Sequence, residues 1–170
     1  MTRYAVLLRG INVGGIRMKM ADLADAITAL GYTNVRTVLA SGNVLLDADD
    51  DAPAVTERVE SALRARFGYE AWVHVLSVDA VRDVVAGYPF PRADDMQAYA
   101  VVVVDADTRS ALLAIPTAGR ERVAEGDGVL YWTVPKGDTL GTEFGAAQAS
   151  ARFKPWVTAR NLNTLEKLLR

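Results

Sequence analysis

The sequence has no cysteine and a single histidine, His74, among its 170 residues. Without thiols the chain cannot form a disulfide, a Cys-ligated zinc site or an iron–sulfur cluster, and it offers no thiolate nucleophile. A second histidine is also missing, so a histidine-rich metal site is excluded and a Ser-His-Asp triad would have to use His74 with a distant serine. We predict neither a metal nor a cofactor.

Long apolar runs are also missing. No stretch approaches the roughly 18 uninterrupted apolar residues of a membrane span, and the first ten residues, "MTRYAVLLRG", lack the apolar core of a signal peptide. We therefore expect a cytoplasmic protein with no membrane partner. Its 51% hydrophobic content and length of 170 residues fit one folded domain or two small subdomains.

Charge is unevenly distributed along the chain. Residues 1–20 and 150–170 each carry a net charge of +4, while residues 21–149 carry −10, which gives −2 in total. The two basic ends could together meet an anionic partner, or they could simply attract the acidic middle of the chain. Both interpretations stay open.

The first 76 residues alternate between strand and helix patterns. Apolar runs predict strands at 3–9, 34–40, 43–48 and 71–76, and helical spacing predicts helices at 20–31 and from Pro53 to Gly68. Ser41-Gly42 is a hairpin signal between the second and third strands. The order β-α-β-β-α-β is that of a ferredoxin-like, or split-βαβ, subdomain.

The second half resembles the first in its order of elements. A helix from Ser77 leads through a Pro-containing loop, "YPFPRADD", to "AYAVVVVD" (98–105), which is apolar enough for a central strand buried on both faces. A short helix, two strands and helical material follow, so this half reads β-α-β-β-α with its last strand missing or replaced by helix. We predict an α+β protein with subdomains at 1–76 and 77–170 that share one core, because no linker composition separates them.

The loop from Arg9 to Lys19, "RGINVGGIRMK", is longer than the two to six residues that usually join a strand to a helix. It fails as a P-loop because Ile16-Arg17 stands where Lys and Ser/Thr must be. A nest of amides at Gly14-Gly15 beside Arg9 or Arg17 could hold an anion. Alternatively, the glycines only supply positive φ for a loop folded over the sheet edge.

The C-terminal segment "VTARNLNTLEKLLR" (157–170) reads as the start of a helix, with Thr158 or Asn161 as the cap and a leucine stripe on the buried face. Arg160, Asn161 and Asn163, close to Lys154, could clamp a carboxylate or phosphate. The alternative is an Arg-Asn capping network that ties the last helix to its loop.

Three ordered segments, "LLRGINVGG…KM", "SGNV" and "TARNLNTLEKLL", resemble the signature segments of the bacterial family known as domain of unknown function 1697. The resemblance implies an α+β protein with ferredoxin-like subdomains and no established activity. Leu162 stands where the family usually has tryptophan, which favours a packing role for that position. The motif residues that the resemblance points to are Arg9, Gly10, Asn12, Gly14, Gly15, Lys19, Ser41, Gly42, Asn43, Arg160, Asn161, Asn163 and Thr164.

The ferredoxin-like layout is also that of the RNA-recognition module, which stacks bases on aromatic residues of its first and third strands. Here the first strand has Tyr4 and the third, "NVLLD", has no aromatic residue. Base readout on the sheet is therefore disfavoured, whereas phosphate contacts by the two basic ends stay open.

Our leading hypothesis is a binder of a small anionic ligand such as a nucleotide, phosphate or carboxylate. We predict one pocket for it, formed by the 9–19 loop, the 41–43 turn and the region around Lys154 to Asn163. Any catalysis there would be electrostatic or acid–base. The alternatives are a nucleic-acid binder that uses its basic ends and a structural or oligomerisation module, such as a homodimer, without a ligand. The ligand-binding residues that we predict are Arg9, Gly10, Asn12, Gly14, Gly15, Lys19, Ser41, Asn43, Lys154, Arg160, Asn161 and Asn163.

Overall fold

The computed structural model describes residues 1–11 and 16–170. These residues form two compact units: the N-terminal unit, Met1–Val81 with Lys167–Arg170, and the C-terminal unit, Arg82–Glu166. Each contains a four-stranded antiparallel sheet. The α+β class predicted from the sequence is confirmed, while the subdomain boundary after residue 76 and the shared core stay predictions.

The N-terminal unit has the predicted β-α-β-β-α-β order. Its sheet has the strand order β2-β3-β1-β4, in which β1 is central and pairs with both β3 and β4. This is the ferredoxin-like arrangement. The elements are β1 (Thr2–Leu8), α1 (Met20–Thr28), β2 (Thr33–Thr37), β3 (Asn43–Ala48), α2 (Ala52–Phe67) and β4 (Val73–Ser77).

Local sequence signals explain where α2 begins and ends. Asp51 accepts a hydrogen bond of 3.0 Å from the backbone N–H of Ala54, and Pro53 occupies the first turn. The helix ends at Gly68, whose φ of 65° is left-handed. Three α2 residues spaced four apart point into the core beside the inward residues of β1 and β3, and all three are fully buried: Val55, Val59 and Leu63.

The connection between β2 and β3 is longer than the sequence indicates. Strand β2 ends at Thr37 rather than at residue 40, so five residues, Val38 to Gly42, form the turn. The chain reverses there through positive φ angles of 61° at Leu39 and 85° at Gly42. A side chain at Gly42 would lie 2.7 Å from Cδ1 of Ile11, so glycine is required both by φ and by space.

The C-terminal unit repeats this plan. Its sheet has the order β6-β7-β5-β8, with β5 central between β7 and β8. Residues Ala100 to Val103 of β5 are buried, which confirms the expected central strand. The elements are β5 (Met96–Val103), α4 (Ala106–Leu113), β6 (Arg122–Glu125), β7 (Val129–Pro135), α5 (Glu143–Gln148), a 3-10 helix (Ala151–Phe153) and β8 (Val157–Asn161).

Strand β8 corrects the prediction that this half lacks its last strand. Residues 157–161, assigned from the sequence to the start of a helix, instead pair along β5, with Val157 opposite Val103 and Asn161 opposite Tyr99. The physical reason is that β5 is central and needs a partner for its second edge of backbone N–H and C=O groups. The last helix, α6 (Leu162–Leu168), begins only after this strand.

The two halves also share a register. Tyr4 of β1 pairs with Ser77 of β4, and Tyr99 of β5 pairs with Asn161 of β8. In both halves the outer residue then accepts a hydrogen bond from the next helix: Ser77 Oγ from the N–H of Ala80 at 3.0 Å, and Asn161 Oδ1 from the N–H of Asn163 at 2.9 Å. Helix α3 (Val78–Ala86) thus follows β4 as α6 follows β8.

Two absences hold for the part of the chain that the structure describes. None of its helices combines the length and the apolar character that crossing a membrane needs. No group of three or more His, Asp or Glu side chains there is arranged to hold a metal ion.

Candidate functional site

The predicted site residues of the first loop lie at the end of β1. Arg9 is half-buried, its backbone N–H donates to the carbonyl of Trp72 at 3.0 Å, and burial lowers the pKa of its guanidinium. Gly10 has a φ of 72°, and Lys19 is exposed immediately before α1. The remaining predicted residues of this loop, Asn12, Gly14 and Gly15, lie outside the described residues.

The predicted residues of the second segment hold the turn between β2 and β3. Asn43 is fully buried, and its side-chain amide donates to the carbonyl of Val38 at 2.8 Å and to Oγ of Ser41 at 2.9 Å. Ser41 is exposed. These contacts give Asn43 a structural role in closing the turn. That Asn43 also binds a ligand stays a prediction.

The predicted residues of the C-terminal segment fall in the other unit and differ in exposure. Arg160 lies in β8, not at a helix N-terminus, and is only 8% exposed. Its guanidinium donates to Oγ1 of Thr158 at 2.7 Å and to the carbonyl of Ala159 at 3.0 Å. Lys154 follows the 3-10 helix and is partly exposed. Asn161 and Asn163 flank the first residue of α6.

Asn161 and Asn163 both line a cavity of about 230 Å³ within the C-terminal unit. The loop before β5, the first residues of β5 and the end of β7 form its other walls. The volume lies below the range of about 300–1,000 Å³ typical of pockets for drug-sized ligands, so it suits a small molecule. Its polar lining residues are Tyr88, Arg92, Asp94, Gln97, Thr133, Lys136, Asn161 and Asn163.

A chain of hydrogen bonds runs along one side of this cavity. The Arg92 guanidinium donates to Oδ1 of Asn163 at 2.6 Å. The backbone N–H of Asn163 donates to Oδ1 of Asn161 at 2.9 Å, and Nδ2 of Asn161 donates to Oε1 of Gln97 at 2.8 Å. Two of these donors, a guanidinium and a backbone N–H, cannot act as acceptors. They therefore fix which way all three side-chain amides point.

The direction of this chain leaves donors rather than acceptors for a ligand. All three amide oxygens already accept a hydrogen bond from the protein. Within the described residues, no acceptor pairs with Nδ2 of Asn163, Nε2 of Gln97 or Nζ of Lys136. N–H groups on residues that line one cavity suit a ligand rich in oxygen acceptors.

The charges around the cavity are nearly balanced. Arg92 and Lys136 bring two positive charges and Asp94 one negative charge. Arg92 also forms an ion pair of 2.9 Å with Glu166. Asp95, which follows Asp94 in the chain, forms an ion pair with Arg120. The Arg120 guanidinium holds the pKa of Asp95 below its usual range. One ammonium group, that of Lys136, therefore remains without a direct ion-pair partner among the described residues.

Tyr88 forms the aromatic end of the cavity. Its ring makes edge-on contacts with Phe90 and Tyr131, with centroids 5.6 Å and 5.8 Å away. Burial raises the pKa of the Tyr88 hydroxyl, and nearby Thr133 and Arg92 oppose this rise in part. The hydroxyl oxygen is buried, and Thr133 lies close enough to act on its pKa through a hydrogen bond.

Most of the cavity was missed by the sequence reasoning. Only Asn161 and Asn163 were predicted, whereas Tyr88, Arg92, Gln97 and Lys136 were not. Arg92 lies in the segment "YPFPRADD", whose two prolines and lone basic residue were the only available signal. Nothing in the sequence indicates that Gln97 and Lys136 lie beside it, because antiparallel pairing of β5 and β7 brings them together.

Comparison with known proteins places the chain in a family. The family described as "Protein of unknown function (DUF1697)" matches residues 1–131, which is more than half of the chain. The chain belongs to this family. The match ends before β8, so the Arg160 and Asn161 segment lies beyond it. No functionally curated protein matches this DUF1697 member.

A solved structure agrees with the fold of this family member. It resembles the structure of a conserved bacterial protein from Streptococcus pneumoniae, with a TM-score of 0.81 and 24% sequence identity. That alignment covers 98% of this chain and 96% of the other, and at this identity the likeness shows the fold alone. A second protein, from Galdieria sulphuraria, is 12% identical over 94% of this chain and 96% of its own, with a TM-score of 0.28.

Proposed function

We propose that this DUF1697 protein binds a small anionic ligand in the cavity of its C-terminal unit. The observation that supports this best is the orientation of the amide chain from Arg92 through Asn163 and Asn161 to Gln97. Every oxygen of these amides is engaged, so Asn163 and Gln97 present N–H donors and Lys136 adds a positive charge. These donors stabilise carboxylate or phosphate oxygens.

The proposal keeps part of the site predicted from the sequence and adds to it. Asn161 and Asn163 belong to the cavity. Lys154, Arg160 and the residues of the N-terminal unit remain predicted ligand contacts that separate variants must test. Arg9→Ala is the most informative of these, because Arg9 is the half-buried cation of the N-terminal loop.

The proposal is tested by a thermal-shift screen against carboxylates, phosphosugars, nucleotides and short RNA at constant ionic strength. A ligand at about 100 times its dissociation constant should stabilise the protein by about 2.7 kcal/mol, which is an easily measured shift. The shift should disappear in Lys136→Met and persist in Lys167→Met, a matched change at an exposed lysine outside the cavity. If no anion stabilises the protein, or if both variants respond alike, the proposed site is wrong.

A second candidate function, nucleic-acid binding, is favoured by Trp156. This side chain is 41% exposed and lies two residues after Lys154, so an indole available for base stacking stands near a cation. Binding of this kind would weaken steeply as salt rises and would be lost in Trp156→Ala. A fluorescence anisotropy titration of labelled single-stranded RNA at two salt concentrations measures both effects.

A cytoplasmic location and a homodimer are further proposals from the sequence. Cell fractionation with an antibody against the protein tests the first, and light scattering after size exclusion over a wide concentration range tests the second. A mass of 18.4 kDa at every concentration would exclude the dimer.

A further inference from the structure

We infer that the ligand of the cavity is a singly charged organic carboxylate and not a phosphomonoester. This inference rests on the proposed function, because it names the class of anion that the same cavity takes. Three features of the described residues carry it: the charge that the lining can neutralise, the kind of donors that it presents, and the apolar residues that form part of the lining.

Charge is the first argument. A phosphomonoester carries a charge of about −1.5 to −2 at pH 7, whereas a carboxylate carries −1. The cavity offers Lys136 and a guanidinium, that of Arg92, whose charge Glu166 already shares at 2.9 Å. Asp94 in the lining opposes a second negative charge. Two positive charges therefore stand against the two negative charges of Glu166 and Asp94, so no further cation of the described lining compensates the second charge of a phosphate dianion.

The donors give the second argument. Asn163 Nδ2 and Gln97 Nε2 are neutral amide donors, which stabilise an anion without adding positive charge. Two neutral NH₂ groups with one ammonium match the two oxygens of a carboxylate. Phosphate sites more often combine several cations or a run of backbone N–H groups, whereas Lys136 is the one cation of the described lining without an ion pair.

The apolar lining residues and Tyr88 give the third argument. Pro91, Ala93, Met96 and Ala98 line part of a mainly polar cavity, so a bound molecule can place a short carbon body there beside its anionic group. The buried Tyr88 hydroxyl, with Thr133 beside it, can donate to an acceptor at the aromatic end. A short hydroxy- or oxo-carboxylate supplies an anion, an apolar body and a second oxygen within about 230 Å³.

Calorimetric titration of the full chain with matched compounds tests the inference. The carboxylates are glycolate, lactate and succinate semialdehyde, and the phosphomonoester is glycerol phosphate, with inorganic phosphate as a further probe. At about pH 7.5 at least one of these carboxylates should bind at least about tenfold more tightly than every phosphate compound. Its binding should be lost in Lys136→Met and in Gln97→Glu but not in Lys167→Met.

Acidification gives a second readout, because it changes the charge of the phosphate and not that of the carboxylate. Near pH 5.5 glycerol phosphate becomes mostly a monoanion, since its second pKa is about 6. The difference in affinity between the tightest carboxylate and glycerol phosphate should therefore be smaller at pH 5.5 than at pH 7.5. The charged groups that face the cavity or pair with its lining are Arg92, Lys136, Asp94, Asp95, Arg120 and Glu166. The single histidine, His74, lies in the N-terminal unit.

The outcomes separate this inference from the function on which it rests. Phosphomonoesters that bind as tightly as carboxylates at pH 7.5, with the same dependence on Lys136, would overturn the inference and leave anion binding in place. Binding of neither class would overturn both. Carboxylate binding that is indifferent to Lys136→Met and Gln97→Glu would also overturn both, because the anion would then bind elsewhere.

Discussion

Arg92 and Asn163 are 71 residues apart in the chain, yet the Arg92 guanidinium donates to Oδ1 of Asn163 at 2.6 Å. The same guanidinium is paired with Glu166 one turn further along α6. One side chain from the loop before β5 thereby fixes the first turn of the last helix and sets the direction of the amides beside it. In the proposed anion site, this single contact determines that the amides have N–H donors, and not oxygen acceptors, left for the ligand.

Gln97→Glu should separate folding from binding. Glutamate keeps an oxygen that accepts from Nδ2 of Asn161, so the free energy of unfolding should change by less than about 1 kcal/mol. It replaces the Nε2 donor with a charged acceptor, so carboxylate binding should weaken by at least about tenfold. Urea denaturation and calorimetry measure the two effects.

The comparison variant for this experiment is Gln97→Ala. Alanine removes the acceptor as well as the donor, so it should cost about 1 kcal/mol of stability in addition to the loss of binding. Unaltered ligand affinity in the glutamate variant would show that Gln97 does not face the bound anion.

Arg92→Lys should weaken the site although it keeps the positive charge. A lysine ammonium lacks the planar fork with which arginine reaches Glu166 and Asn163 together. Because Arg92 is 42% exposed, we expect a loss of only about 0.5–1 kcal/mol in stability. Ligand affinity should fall more, since Asn163 is then free to turn its oxygen towards the cavity. Affinity equal to that of the wild type would contradict the proposed orienting role.

Asn43→Ala should destabilise the N-terminal unit far more than Ser41→Ala. Asn43 is fully buried and bridges the turn to Val38 and Ser41, so alanine leaves the part-buried carbonyl of Val38 without this donor. We expect a loss of about 2 kcal/mol for Asn43→Ala and less than about 0.5 kcal/mol for exposed Ser41→Ala. Equal losses in urea denaturation would refute the structural role given to Asn43.

The ionised carboxylate of Asp47 should stabilise the folded protein near neutral pH and lose this effect in acid. Arg3 donates to one oxygen of Asp47 at 2.8 Å and Asn34 to the other at 2.6 Å, and the bond from Arg3 is the main cause that lowers the pKa of this carboxyl. The unfolded chain, with an Asp pKa of about 3.9, then takes up the proton first as pH falls. The stabilisation is therefore complete above about pH 5 and is lost as pH falls through the lower, folded pKa.

The variant Asp47→Asn isolates this contribution. The difference in unfolding free energy between wild type and variant should be constant from pH 5 to 7 and should shrink below about pH 4. The control is Glu57→Gln, an exposed acid on α2 that forms no ion pair with another described residue. A difference in unfolding free energy that grows on acidification would contradict a lowered pKa of Asp47 in the folded protein.

The sequence predicted the fold where one pattern dominates a segment. The apolar run 98–105 could only be a central strand, and the spacing of Val55, Val59 and Leu63 could only be a helix face. It failed at β8, because five strand residues run directly into a helix whose Leu162, Leu165 and Leu168 form a stronger helical pattern. Pairing with β5 determines the conformation of residues 157–161, and the local spacing of apolar residues does not indicate such pairing.

The candidate site was predicted less completely than the fold. Asn161 and Asn163 stood out as polar residues that packing did not explain, but their partners come from a loop and two other strands. Arg92 carries only the weak signal of its Pro-containing segment and Gln97 carries none, since an isolated arginine or glutamine on a surface segment is ordinary. Only the tertiary register of β5 with β7 and β8 brings them to one cavity.

The central claim is that the unpaired amide donors of the cavity bind an anion, and side-chain NMR tests it most directly. In a ¹⁵N-labelled sample titrated with the tightest carboxylate, the NH₂ signals of Gln97 and Asn163 should move downfield together and saturate with one dissociation constant. The NH₂ signals of Asn34, which is bound to Asp47 in the other unit, should stay unchanged. Saturable binding that leaves the Gln97 and Asn163 signals in place would contradict the account.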